Sequence, residues 1–242
     1  MELELLPLIL LILIGIGAGF VQRVSGFGLS IFAMIFLPYL MATTEAVTLA
    51  TILSLSATIV NVASYYKKVL YKTALPMVAS ALVFITIAVR FSTRVPEDIF
   101  KMLLGIVLIA LSIYFLFFNK NVKLKPTVLN GLITGAFSGT LGGLFSTSGP
   151  PAVLYVSSAI SDNIVYFATI QFYFCLTNVY SLSARIVSGI VEWTILPYAV
   201  VGIAGCMVGN YIGKRVFDKL DAKKLKTVIY IGMIISGIVM LV

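Results

Sequence analysis

The chain has 242 residues, of which 60% are apolar and only 11% are charged, and its mean hydropathy is +1.10. A soluble domain carries about 25% charged residues, so this composition excludes a soluble fold and predicts a membrane protein. The net charge of +8 comes from 17 Lys and Arg against 9 Asp and Glu. Because most basic residues flank apolar runs, they indicate membrane orientation rather than nucleic-acid binding.

Ten apolar runs divide the chain, separated by short polar, glycine or proline segments. In chain order they cover residues 5–22, 27–41, 46–66, 74–92, 99–118, 127–144, 150–160, 163–186, 194–213 and 226–242. About 20 apolar residues cross a bilayer as a helix. The six runs that stand alone therefore predict six full transmembrane helices. The acidic start Met1-Glu2-Leu3-Glu4 lacks the basic region of a signal peptide, so the run from Leu5 is predicted to be a retained span.

The other four runs form two pairs, 5–22 with 27–41 and 127–144 with 150–160, each interrupted by Gly, Ser or Pro. A straight helix of about 36 residues would be about 54 Å long, whereas the apolar core of a bilayer is about 30 Å thick. Each pair therefore predicts a broken helix or hairpin that enters the membrane and returns.

The two halves of the chain, residues 1–120 and 121–242, repeat at an offset of about 120 residues. The matching pairs are Gly15 with Gly135, Gly19 with Gly139, Gly28 with Gly149, Asn61 with Asn178, and Leu75-Pro76 with Leu196-Pro197. The predicted fold is all-α: two transmembrane repeats, each with one broken hairpin and three full helices, form a single integrated membrane domain.

The basic residues predict how the two repeats are oriented. If each broken pair returns to the side it left, Arg90, Arg94, Lys101 and Arg185 share one face, Arg23 lies within a break, and the other 12 of the 17 basic residues share the opposite face. Those twelve are Lys67, Lys68, Lys72, Lys120, Lys123, Lys125, Lys214, Arg215, Lys219, Lys223, Lys224 and Lys226. If each pair crosses once, the split is 7 against 9. The positive-inside rule favours the first arrangement. We therefore expect an inverted second repeat in a cell inner or plasma membrane, with both termini on the extracytoplasmic side.

The two breaks are the candidate binding site for a substrate. Gly26 and Gly28 permit a tight turn, and Gly149-Pro150 predicts the start of a half-helix, since proline suits the first helical turn. Helix N-termini present free N–H groups and partial positive charge, which favour a small anion. Broken helices at matching places in inverted halves are typical of transporter substrate sites.

Hydroxyl donors in the breaks are Ser25, Ser146, Thr147 and Ser148. The alternative is that these residues only permit close helix packing, as we expect for repeats such as Gly15-xxx-Gly19.

Four further polar residues are candidates for the substrate site. Arg23 is the only basic residue within a broken pair, which makes it a candidate contact for the anion. Its alternative role is to reach a membrane interface from a helix end. Asn61, Gln171 and Asn178 either bond between helices or line a cavity.

No catalytic residue, metal or cofactor is predicted. The chain has no His, and its nine carboxylates all lie at the ends of the apolar runs. A proton relay or an intramembrane hydrolase therefore lacks its usual groups. Export of an anion needs no coupling ion, because an inside-negative potential favours exit by about 2.3 kcal/mol per charge per 100 mV.

Two motifs carry a family resemblance. They are Val21-Gln22-Arg23-Val24-Ser25-Gly26-Phe27-Gly28 with Leu37-Pro38, and Thr147-Ser148-Gly149-Pro150-Pro151-Ala152-Val153-Leu154-Tyr155. They resemble the paired signatures of the TauE/SafE family of sulfite and organosulfonate exporters, also called the toluenesulfonate uptake permease family. The resemblance covers essentially the whole chain and implies transport of small sulfur oxyanions or sulfonates.

We therefore expect an alternating-access carrier that exports sulfite or an organosulfonate, with the anion held by half-helix N-termini at the two breaks. An anion channel on the same scaffold and a membrane scaffold without transport are the alternatives. The expected partners are the small anion and the lipid bilayer, without nucleic acid, and a homo-oligomer is left open.

Overall fold

The computed structural model describes residues 5–118, 124–216 and 222–242, and these ranges are helical, without a β-strand. The predicted all-α membrane fold is confirmed. Two sets of residues used in the predictions lie outside the described ranges. They are the acidic start at residues 1–4, and Lys120, Lys123 and Lys219 from the orientation of the repeats.

Both halves of the chain contain helices in the same order of lengths: long, short, long, long, long. In the first half they are α1 Leu5–Ser25, α2 Leu29–Phe36, α3 Thr43–Tyr65, α4 Tyr71–Ser92 and α5 Glu97–Ile113. In the second half they are α6 Val128–Phe145, α7 Gly149–Ala159, α8 Asn163–Val187, α9 Leu196–Val216 and α10 Ala222–Leu241. The inverted relation between the halves, and the repeat boundary at residue 120, stay predictions.

Helix starts follow from local side-chain chemistry. Asp162 precedes α8 and accepts hydrogen bonds from the N–H groups of Ile164 at 2.8 Å and Val165 at 2.9 Å. Thr127 precedes α6 and accepts one from the N–H of Asn130 at 3.2 Å. These side chains satisfy N–H groups that have no partner within the helix.

Six segments in the described ranges are long and apolar enough to cross a membrane. They are Leu6–Ser25, Thr43–Lys68, Tyr71–Ser92, Glu97–Phe117, Val128–Phe145 and Trp193–Arg215. The set includes the first arm of each broken pair, because α1 and α6 continue unbroken through their internal glycines. Among the described residues it does not include α8 or α10, which cover the runs 163–186 and 226–242 that the sequence predicts as full spans. The short arms are α2 and α7, with 8 and 11 residues. Large apolar side chains on the outside, such as Leu6 and Val200, each 67% exposed, suit contact with lipid rather than water.

The structure divides into two compact units, and each draws on both halves of the sequence. Unit 1 comprises Met1–Leu53, Val95–Asn119 and Val191–Val242, and unit 2 comprises Ser54–Arg94 and Lys120–Ile190. Unit 1 therefore contains α1, α2, α5, α9, α10 and the start of α3. Unit 2 contains the rest of α3 together with α4, α6, α7 and α8.

Unit 1 is built on direct backbone contact between α1 and α9. A Cβ added at Gly15 would lie 2.6 Å from the carbonyl oxygen of Gly202, and one added at Gly205 would lie 2.6 Å from that of Ile12. Glycine is therefore the residue that permits this approach, which confirms packing as the role of these repeats. The short helix α2 folds back along α1, where the Phe32 ring occupies the space beside Gly17.

Unit 2 repeats this arrangement with α4 and α6. A Cβ added at Gly139 would lie 2.6 Å from the carbonyl oxygen of Ala81, and Gly135 approaches the backbone of Met77 in the same way. The contacts advance together along both helices, so α4 and α6 run parallel, as α1 and α9 do. The short helix α7 folds back along α6, and its Tyr155 hydroxyl donates to the carbonyl of Thr127 at 2.9 Å. Both broken pairs are therefore hairpins.

Candidate functional site

The first break lies between α1 and α2, where the sequence predicts it. Gly26 has a φ of 78° and Gly28 a φ of 96°, both in the left-handed region that favours glycine. A Cβ added at Gly28 would lie 3.3 Å from the Cγ1 atom of Val21. Two glycines are therefore needed to turn the chain from Ser25 into Leu29.

Three donors of the first break bond to acceptors of the same hairpin. The Ser25 hydroxyl lies 2.7 Å from the carbonyl oxygen of Val21 and is also close to that of Phe27. The N–H of Gly26 donates to the carbonyl of Gln22 at 2.9 Å. The N–H of Leu29, at the start of α2, donates to the Gln22 side-chain oxygen at 3.3 Å. Gln22 thus occupies the helix N-terminus that the sequence assigned to an anion, and it was absent from the predicted site residues.

Arg23 is half-buried in the last turn of α1, beside the C-terminal end of α9. A Cβ added at Gly213 would lie 2.9 Å from the Cβ and 3.1 Å from the Cγ of Arg23. The next residues of α9 are the exposed Lys214 and Arg215. This basic surrounding favours the interfacial alternative for Arg23, and its contact with an anion stays a prediction.

The second break lies between α6 and α7. Ser146 has a φ of 57°, which costs a non-glycine residue about 1 kcal/mol. Its N–H donates to the carbonyl of Gly142 at 2.9 Å, and the N–H of Thr147 donates to that of Leu141 at 3.3 Å. Helix α7 begins at Gly149, which confirms the predicted half-helix.

The N-terminus of α7 has fewer donors than an ordinary helix. Pro150 and Pro151 occupy its first turn and carry no N–H. The Ser148 carbonyl accepts from the Ser138 hydroxyl, and the Ser148 side chain makes no capping bond to α7. Ser146, Thr147 and Ser148 are all buried. The irregular backbone of this break therefore lies inside unit 2.

A buried charged side chain, Arg185, contacts the end of α6 beside the second break, although the sequence predicts a position flanking the membrane for it. It lies in the last turn of α8 and is 0% exposed. Its Nη2 atom donates to the carbonyl of Gly143 at 2.6 Å and approaches that of Leu144 at 3.4 Å. Those two residues are the sequence equivalents of Arg23 in the second repeat. The available signal was that Arg185 lies inside the run 163–186, where a charge is a functional candidate by default.

The three predicted amide residues bond between α3 and α8 within unit 2. The Asn61 amide donates to the Gln171 side-chain oxygen at 3.1 Å, and the Asn178 amide donates to the Ser54 hydroxyl at 2.9 Å. All four side chains are buried. These bonds match the interhelical alternative, and lining of a cavity stays a prediction.

The structure thus places the predicted site residues in three groups. Arg23, Ser25, Gly26 and Gly28 belong to the first break in unit 1. Ser146, Thr147, Ser148, Gly149 and Pro150 belong to the second break in unit 2. Asn61, Gln171 and Asn178 belong to the α3–α8 contact.

Comparison with known proteins gives one family. The sequence model described as sulfite exporter TauE/SafE matches residues 11–240, which is nearly the whole chain and includes both breaks. No curated protein and no solved structure matches the chain.

Proposed function

Since the chain belongs to the TauE/SafE family of sulfite exporters, a family of transporters rather than enzymes, we propose that it exports a small sulfur-containing anion by alternating access. The observation that carries this proposal is the pair of helical hairpins, each with a break at the corresponding place in its half. In membrane transporters, broken helices of this kind form substrate sites. The proposed location is a cell inner or plasma membrane, with both termini on the extracytoplasmic side.

The Ser148 hydroxyl at the second break, rather than the N–H groups of α7, supports anion recognition. Irregular backbone at membrane depth persists only where protein buries it or where it lines a wet cavity. Ser146, Thr147 and Ser148 are buried, and the hydroxyl of Ser148 is not used to cap α7. We place the anion at this break, with Gly149 and Pro150 shaping the start of α7.

The electrostatics of unit 2 support the same assignment. Its sequence contains nine basic residues and a single acidic residue, Asp162. A surplus of one sign raises the local concentration of counter-ions and speeds their association. An inside-negative membrane potential then drives export, at about 2.3 kcal/mol per charge per 100 mV.

Flux measurements on reconstituted protein test the proposal. We expect proteoliposomes to show saturable sulfite flux that is accelerated by sulfite on the opposite side. Ohmic single-channel currents would instead establish an anion channel. If no member of a panel of sulfite, sulfate, thiosulfate, taurine and sulfoacetate moves across the bilayer or raises the melting temperature, the chain is a membrane scaffold and the proposal is wrong.

A further inference from the structure

We propose that the buried guanidinium of Arg185, together with the hydroxyl of Ser181, binds an oxyanion beside the second break. The inference rests on the proposed function, because it takes the transported sulfur oxyanion as the ligand. It adds a charged residue to the second break, where the sequence predicts only backbone N–H groups and hydroxyls as anion ligands.

Arg185 has donors that the protein does not use. Its Nη2 atom bonds to the carbonyl of Gly143, but its Nε and Nη1 atoms are buried without a hydrogen-bond partner in the described part of the chain. Buried donors are almost always paired, and an unpaired one is costly, more so when it is charged. The planar guanidinium matches the oxygens of small oxyanions. Nε and Nη1 are therefore free to bind such an ion.

The charge of Arg185 is also unbalanced within its unit. Asp162, the only acidic residue in the sequence of unit 2, lies 23 positions earlier on α8, about 35 Å away along the helix. The carbonyls of Gly143 and Leu144 lie at the C-terminal end of α6, which supplies only partial negative charge. A buried charge without a full counter-charge is strongly unfavourable. A bound anion supplies that counter-charge.

Ser181 extends the site by one helical turn. Four buried polar residues follow one face of α8 at spacings of seven, three and four residues: Gln171, Asn178, Ser181 and Arg185. Such spacings return to the same side of a helix. The hydroxyl of Ser181, like two nitrogens of Arg185, is buried without a partner in the ranges described. The unused donors therefore lie on adjacent turns of one helix face.

The competing explanation is that Arg185 only caps the C-terminal end of α6. A cap accounts for the Nη2 bonds to Gly143 and Leu144. It does not account for Nε, Nη1 or the hydroxyl of Ser181. Anion binding and helix capping therefore differ in one measurable respect, the dependence on Ser181.

Sulfite titrations of purified protein in detergent test the inference, with sodium chloride at equal ionic strength as the reference. Sulfite is expected to raise the melting temperature of the wild type. Arg185→Gln should weaken sulfite binding at least about tenfold, and Arg185→Lys should weaken it less, because the charge remains. Ser181→Ala should weaken it severalfold while leaving the cap of α6 intact. Arg90→Gln, which changes an exposed arginine of unit 2, is the matched control and should bind sulfite as the wild type does.

The outcomes separate this inference from the proposed function. If Arg185→Gln does not fold, Ser181→Ala and Arg185→Lys decide, and unchanged sulfite binding in both makes Arg185 a helix cap only. Unchanged binding in a folded Arg185→Gln variant has the same meaning. Wild-type protein that binds sulfite through Arg185 but shows no flux would contradict the transport function and leave the binding site standing.

Discussion

The two units differ most in charge. Unit 1 contains eight basic and eight acidic residues in its sequence, whereas unit 2 contains nine basic residues and one acidic residue. The whole net charge of +8 therefore belongs to unit 2. The net charge of the whole sequence does not show this difference between the two units. Grouped by unit, they give one neutral body and one body suited to an anion.

The two breaks differ in which residues take left-handed backbone angles and in how many hydrogen-bond donors nearby are used. In the first, glycines take the left-handed positions, and Gln22 bonds to the N–H at the start of α2. In the second, Ser146 takes a left-handed position, and Arg185 keeps unused donors beside the break. Similar interruptions in the two halves therefore support different roles: a closed turn in unit 1 and the proposed binding site in unit 2.

The largest expected effect separates the two arginines near the breaks. Arg185→Gln should lower sulfite flux about 10- to 100-fold, because charged hydrogen bonds to the anion are lost. Arg23→Gln should change flux by less than about threefold, since its stem lies along α9 near Lys214. The measurement is initial flux in proteoliposomes at matched protein content. Equal losses in both variants would show that the breaks share one role.

The next prediction concerns the contacts of glycine with backbone atoms that occur inside each of the two units. Gly15→Ala and Gly139→Ala should each lower the free energy of unfolding by about 1–3 kcal/mol, because the new Cβ meets a backbone carbonyl. Thermal unfolding in detergent measures this. Gly232→Ala is the control, since its Cβ would meet only the end of the Ile35 side chain at 3.6 Å. A loss in one unit alone would mean that only that pair of helices depends on backbone contact.

A smaller effect is expected from the left-handed residues. Gly28→Ser should destabilise the protein by about 1 kcal/mol, because serine is strained at a φ of 96°. Ser146→Gly should keep or raise the melting temperature, since glycine adopts a φ of 57° without strain. A lower melting temperature for Ser146→Gly would contradict the assignment of strain to the second break.

The smallest effect concerns the starts of the two short helices. Gln22→Met should cost about 0.5–1 kcal/mol, because the N–H of Leu29 loses its side-chain acceptor. Ser148→Ala should leave stability within about 0.5 kcal/mol of the wild type, because Ser148 makes no capping bond. Thermal melts of both variants in the same detergent provide the comparison. A reversed order would mean that the second helix start is the capped one.

The sequence predicts the helices well because apolar run length and proline or glycine breaks are local signals. The start of α7 at Gly149 and the turn at Gly26 and Gly28 follow from them directly. The roles of Gln22 and Arg185 do not follow from these signals, since Gln22 bonds across the turn to an N–H seven residues later and Arg185 bonds to another helix. The bond from Arg185 to Gly143 spans 42 positions, and no periodicity along the chain indicates it.

Backbone contact between parallel helices has a mechanical consequence. Where glycine lies against a carbonyl, as at Gly139 and Ala81, no side chain is available to change rotamer and let one helix slide along the other. Helices α4 and α6 are therefore expected to behave as one rigid pair, and so are α1 and α9. We therefore expect each of these helix pairs to keep its internal register, with changes of backbone angle confined to the turns at its ends.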